Sequence, residues 1–308
     1  MAACRQPSKL LALFRGEVRA GDLRDPDYLD RVLTGIDIIC HTAGRSSFEN
    51  TGKNRHQSYL EPSIDLINRA VEWRVKRVVN LSSIFVASTA HRNYADAKGS
   101  PRSYWPMINS IIAVEDYLRN YQTRCQFVNL RAAIFSGKRL NIGLLPLLLA
   151  RNMRSGLPYI NGKSGFFPLV DGQDIGQAFA RAALAPLDGT YNSFNISGPD
   201  TPSQAEVMQF IAQQLGHSPL QVGLPAALTS TILWTRGKLQ KQASQPLFTS
   251  AMLDALKTPV IDNISTVKAL GYDPKISWQA TLLDTLENHK NHSLNYDLSK
   301  PDRALNIR

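Results

Sequence analysis

Few side chains in this sequence carry types and spacing suited to chemistry. Asp171 and Asp174 are close enough for paired-carboxylate acid/base work, but their place just before a helical pattern reads as capping and orienting that helix. His41 closes an apolar run; its ordinary pKa permits proton switching near neutrality, and a packing or loop role is the plainer reading. Cys4, Cys40 and Cys125 share no metal-type spacing, and the last two sit in apolar strand-like runs, which suits reduced core thiols. No metal constellation and no disulfide framework is implied.

The elements that must hold these residues are legible as a pattern. The chain has 308 residues, 43% hydrophobic and 19% charged, enough for a sizeable core. Short β-branched runs alternate with amphipathic helical stretches from Val18 to about Ser136, the pattern of a parallel sheet covered by helices. Asp25-Pro26 starts a short helix that ends near Gly35, and Gly35 to Cys40 reads as a buried strand. Ile64 to Val71 keeps a helical period before the strand Lys76 to Ser83. A helix from roughly Ile108 to Tyr121 precedes the strand Cys125 to Leu130. Beyond Gly143 the pattern loosens into a smaller, partly helical lobe.

The apolar runs Ile142 to Ala150 and Leu224 to Trp234 fall short of the roughly 20 residues that a membrane span requires. The first residues carry no signal-peptide core, so a cytoplasmic protein is expected. The formal charge of +10 is scattered, without basic runs interleaved with aromatics, which argues against nucleic acid. It suits a phosphorylated cofactor or an anionic lipid equally well. The apolar-then-basic stretch Leu224 to Lys241 reads as a cap helix over a pocket, with Trp234 at a lipophilic site, in preference to a membrane contact.

Six segments in order carry a resemblance: Val18 to Asp25 with its Gly-Asp-Leu turn, Asp37 to Gly44, Val75 to Ser83, Leu130 to Gly137, Phe167 to Ile175, and Tyr191 to Gly198. The chain resembles an extended short-chain dehydrogenase/reductase of the NAD-dependent epimerase/dehydratase family, nearer the 3β-hydroxysteroid dehydrogenase/dihydroflavonol reductase type than the nucleotide-sugar epimerases. The resemblance implies an α/β, Rossmann-like doubly wound parallel sheet with a smaller, partly helical C-terminal substrate lobe. Residues 1–142, with 167–197 returning to them, form the NAD(P)-binding domain; 143–166 and 198–308 form the lobe. A small hydroxy or keto substrate and a homodimer through helices flanking the active site are further implications.

Two departures bear on chemistry. In the family a first strand and glycine turn bring backbone N–H groups to the cofactor pyrophosphate; both are expected to be missing here, with Met1 to Leu10 resembling the end of the second strand. Arg5 then stands where an arginine commonly selects the 2′-phosphate of NADP, which favours NADP over NAD, with binding impaired. By resemblance Asp22, Leu23, Thr42, Ala43, Gly44, Ser82 and Arg131 complete the cofactor site, and Tyr59 falls near a position where the family often has Asn. The family reaction uses a Tyr, a Lys one helical turn on, and a Ser. Ser83 fits the Ser, but the Tyr and Lys positions fall on Met107 and Ile111, which transfer no proton. Tyr94 and Lys98 have the Tyr-x-x-x-Lys spacing, yet Gly99-Ser100-Pro101 breaks any helix there, so a polar loop is expected. The implied function is NAD(P)-dependent oxidoreductase or epimerase chemistry, reduced or lost. The alternatives are a non-catalytic dinucleotide-sensing or protein-binding module and a truncated gene product.

Overall fold

The computed structural model describes residues 1–44, 57–138, 140, 144–145, 165–216 and 250–292. Strands β1 (Ala2–Cys4) and β2 (Val18–Ala20) pair in parallel, Ala2 opposite Val18. Helix α1 (Pro26–Leu33) follows, because Asp25 accepts a hydrogen bond from the Asp27 N–H at 3.0 Å and Pro26 presets the first turn. Its Tyr28, Leu29, Val32 and Leu33 are buried against Leu66, with Leu23 and Ile39 alongside. The Tyr28 hydroxyl donates to the Arg19 carbonyl at 2.7 Å. A Cβ at Gly21 would lie 2.1 Å from the Tyr28 ring, so this approach requires glycine.

The central sheet is parallel throughout, in the order β3 (Ile38–His41), β4 (Arg77–Ser83), β5 (Gln126–Ala132) and β8 (Tyr191–Ile196). Side chains alternate between its two faces. Val79, Val128 and Leu130 pack with Ile175, Ala178, Phe179 and Ala182 of the helix α4 (Gly172–Leu184). Val78 and Phe127 turn the other way, onto Ile67 and Ala70 of α2 (Gln57–Glu72) and Val114 and Leu118 of α3 (Pro106–Asn120). Helices on both faces of a parallel sheet make this the doubly wound, Rossmann-like architecture that the alternating pattern implies. A separate parallel pair, β6 (Ile134–Ser136) and β7 (Leu169–Asp171), leads into α4. The chain then runs through α5 (Gln204–Gln214), α6 (Ser250–Leu256), α7 (Ile264–Leu270) and α8 (Trp278–His292).

One expectation is overturned. The apolar run to Cys40 forms a strand, but it is not buried: Cys40 is exposed and Ile38 and Ile39 are half-buried. Among the described residues β3 pairs only with β4 and the pair β1-β2 forms a sheet of its own, so β3 is an edge strand. Cys40 is therefore no core thiol, whereas Cys125 is, and burial pushes its thiol up to about 11. Most of Ile142 to Ala150, and all of Leu224 to Lys241 with Trp234, lie outside the described residues. Among those described, no helix is long and apolar enough to cross a membrane.

Candidate active site

All four strands of the central sheet point the same way, so their C-terminal ends gather at one edge, where α/β folds bind ligands. Ser83 ends β4 there, half-buried, and its Oγ accepts the Phe85 N–H at 3.3 Å, capping a 3-10 turn over Ile84–Val86. Helix α3 starts at Pro106, two residues before the expected Ile108. Met107 and Ile111 occupy its first two turns, half-buried, and pack against the apolar clusters on both faces of the sheet. Neither side chain carries an ionisable group, so neither can exchange a proton.

Behind it lies a dense polar layer. Glu115 of α3 is 1% exposed and faces the register rows Asn80–Asn129 and Ser82–Arg131 across β4 and β5. Ser82 Oγ donates to Glu115 Oε1 at 2.5 Å and Asn129 Nδ2 donates to it at 2.6 Å. Arg131, also 1% exposed, forks onto the carboxylate: Nε to Oε1 at 2.9 Å and a terminal N–H to Oε2 at 2.6 Å. The remaining Arg131 donors hold the carbonyls of Tyr94 at 3.2 Å and Ala97 at 2.7 Å. Ser82 and Arg131, both assigned to the cofactor by resemblance, thus turn their polar groups to Glu115, which sequence reasoning left without a role. A signal existed: polar residues two apart, Asn80/Ser82 and Asn129/Arg131, on strands of a parallel sheet that otherwise read as apolar.

Arg131 fixes the backbone of the Tyr94–Lys98 loop without making it helical. The loop is a series of turns, as Gly99 and Pro101 imply; Tyr94 is 59% exposed and Lys98 is exposed too, so the required helical context is lacking. A second buried cluster braces the same region. Asp254 of α6 accepts from Arg92 at 2.6 Å and from Arg102 at 2.9 Å, while Arg102 also holds the carbonyls of Phe85 and Ala87 at 2.6 Å each. The segment that follows Ser83 is therefore tied to the C-terminal part of the chain.

At the other end of the expected cofactor site, Arg5 follows β1 directly and is exposed. Asp22 is gripped by Arg24, whose Nε and a terminal N–H lie 3.0 and 2.6 Å from its two oxygens; these bonds lower its carboxyl to about 2. Leu23 packs beside α1. Thr42, Ala43 and Gly44 follow β3 and are exposed, and Gly44 lies against the ring of Tyr59, which is buried on α2. His41 is buried, its Nε2 3.0 Å from Ser63 Oγ. Since Ser63 donates its only hydrogen to the Tyr59 carbonyl at 2.7 Å, it accepts from Nε2–H. Burial pulls the imidazole down to about 4, so His41 is a neutral packing residue near pH 7.

Of the residues that the resemblance assigns to a dinucleotide and its chemistry, Arg5, Asp22 and Leu23 lie around β1 and α1, and Ser83, Met107 and Ile111 at the end of β4 and the start of α3. For a pyrophosphate the helix starts offer little: α1 and α3 open on proline, and α4 is capped by the carboxylate of Asp171, which accepts from the Gln173 N–H at 2.8 Å. The segment before α2 lies outside the described residues. Asp171 is thus a cap, and Asp174 accepts the N–H groups of Lys275 and Ile276 at 3.0 Å each, so both act structurally. Among the described residues no three His, Cys, Asp or Glu side chains gather as metal ligands would.

No protein-family model matches the sequence, and no curated protein matches it. Solved structures do match. The crystal structure of gox2253 superimposes with a TM-score of 0.72 at 18% identity, covering 91% of this chain and 86% of that one. The Bordetella bronchiseptica enzyme WbmG, in complex with NAD and UDP, gives 0.66 at 19%, covering 95% and 87%. UDP-glucose 4-epimerase of Thermus thermophilus, in complex with NAD, gives 0.63 at 18%, covering 89% and 84%. The chain has the Rossmann-like α/β fold of these structures, two of which are complexes with NAD.

Proposed function

We propose that this chain is an NAD(P)-linked, oxidoreductase- or epimerase-like protein for a small hydroxy or keto compound, in which Tyr/Lys-assisted hydride transfer is lost or strongly reduced. The observation that carries the reading is the apolar pair Met107 and Ile111 on α3, packed into the core where the fold would present its proton-transfer groups. Support for the cofactor comes from the fold and from the NAD held by similarly folded proteins. NADP is the preferred partner on this reading, because exposed Arg5 offers a planar fork of donors to a 2′-phosphate. Arg5→Glu should then weaken NADPH binding about tenfold, equivalent to ~1.4 kcal/mol, and leave NADH unaffected.

A turnover assay with either reduced dinucleotide and a panel of keto compounds tests the reading. No turnover by wild type, with binding retained, is the expected result. Wild-type turnover abolished by Tyr94→Phe would overturn it, since the exposed loop would then hold the catalytic tyrosine. A second reading, a dinucleotide-sensing or protein-binding module, is favoured by the same packing of Met107 and Ile111. It separates from the first in the double variant Met107→Tyr/Ile111→Lys: gain of turnover supports a lapsed enzyme, and its absence a module.

A further inference from the structure

We propose that the loop joining β1 to β2 docks on an anionic lipid surface, a role independent of α3 and of the dinucleotide. The loop is built to display apolar side chains. Leu13 is 82% exposed and Leu11 53%, with Phe14 exposed beside them and Met1 and Val18 exposed at the base, where Ala2 pairs with Val18.

This exposure is enforced by local bonding. Lys9 N–H bonds to the Gln6 carbonyl and Leu10 N–H to the Pro7 carbonyl, both at 3.0 Å, closing a 3-10 turn; Phe14 N–H bonds to the Leu11 carbonyl at 2.8 Å, closing a second turn. Arg15 donates to the Ala12 carbonyl at 2.6 Å, and the Phe14 ring lies over Gly16. The two leucines are thus held outward by an ordered frame and do not collapse onto α1. Exposed, ordered apolar residues of this kind mark a contact surface.

Charge selects the occupant. Residues 1–16 contain Arg5, Lys9 and Arg15 and no Asp or Glu. The first acid, Glu17, is already paired with Arg19 at 2.7 Å. Lys9 and Arg15 flank the apolar tip in sequence and form no salt bridge among the described residues; such a tip complements anionic headgroups over an acyl boundary, where leucine and phenylalanine insert and cations stay at headgroup level. A protein partner would have to supply both an apolar socket and several acids at its rim; the lipid surface supplies both by composition.

The test is co-sedimentation of the full chain with vesicles of phosphatidylcholine alone and with about one-third phosphatidylserine. Pelleting with the serine-containing vesicles, released by high salt, is the expected result. Leu11→Ser/Leu13→Ser should reduce it about tenfold and Lys9→Gln/Arg15→Gln several-fold. All four residues are exposed, so unchanged circular dichroism and melting are expected; Leu13→Ser alone gives a second, milder variant. Arg5 stays intact in every variant, which keeps dinucleotide binding separate. Absence of pelleting with phosphatidylserine, or equal pelleting of the leucine variants, would overturn the proposal. So would a lipid-free dimer that the leucine variants dissolve, since the loop would then serve a second copy of the chain.

Discussion

The two halves of α3 contrast sharply. Met107 and Ile111, near its start, carry nothing that can exchange a proton, while Glu115, one turn beyond Ile111, anchors a buried network of Ser82, Asn129 and Arg131. On β4 the same divide falls between neighbours: Ser82 turns inward to Glu115, and Ser83 caps the turn at the sheet edge. The polar groups that brace the fold sit in the second half of the helix, and Met107 and Ile111 in the first half are apolar. Fold and reaction are therefore separable demands on adjacent residues.

The contrast can be broken most forcefully at Glu115. Glu115→Ala removes the carboxylate and leaves Arg131 buried without its counter-charge, which should cost about 3–5 kcal/mol of unfolding free energy in a urea titration. A loss below about 1 kcal/mol would show that the network contributes little.

The next effect is pH-dependent. The His41 imidazole sits at about 4 in the folded protein against 6.5 in the unfolded chain. Between these values the unfolded chain binds more protons, so stability is complete above about pH 6.5 and declines as pH falls toward 4, by on the order of 3 kcal/mol. His41→Gln should flatten that slope relative to wild type. An unchanged slope would mean that His41 is not buried as described.

Smaller effects come from the start of α3 and from the Tyr94 loop. Ile111→Lys places an ammonium on a half-buried apolar position and should cost about 1–2 kcal/mol, read as a lowered melting temperature. No destabilisation would place this side chain in open solvent. Tyr94→Phe, at an exposed loop position, should shift stability by less than about 0.5 kcal/mol and leave any turnover unchanged.

Much of the fold was legible because it rests on local rules. The Asp25-Pro26 start of α1, the helical spacing along α2 and the strands β3 to β5 of the central sheet all follow from caps, breakers and periodicity. Neighbour relations were not. The run Gly35 to Cys40 has the apolar character of a buried strand, and nothing local says that it lies at a sheet edge with Cys40 exposed. The Arg92–Asp254 contact joins residues 162 apart, and no local pattern encodes it. At the candidate site the apolar character of Met107 and Ile111 could be read from residue types alone. The commitment of Arg131 to Glu115 required the register of β4 against β5 to be known.

The central proposal is that the chain binds a dinucleotide without Tyr/Lys hydride chemistry, and its first half is open to one direct measurement. In a calorimetric titration of the full 308-residue chain with NADPH and with NADH, the account predicts saturable binding, tighter for NADPH. A folded chain that takes up neither dinucleotide would contradict it.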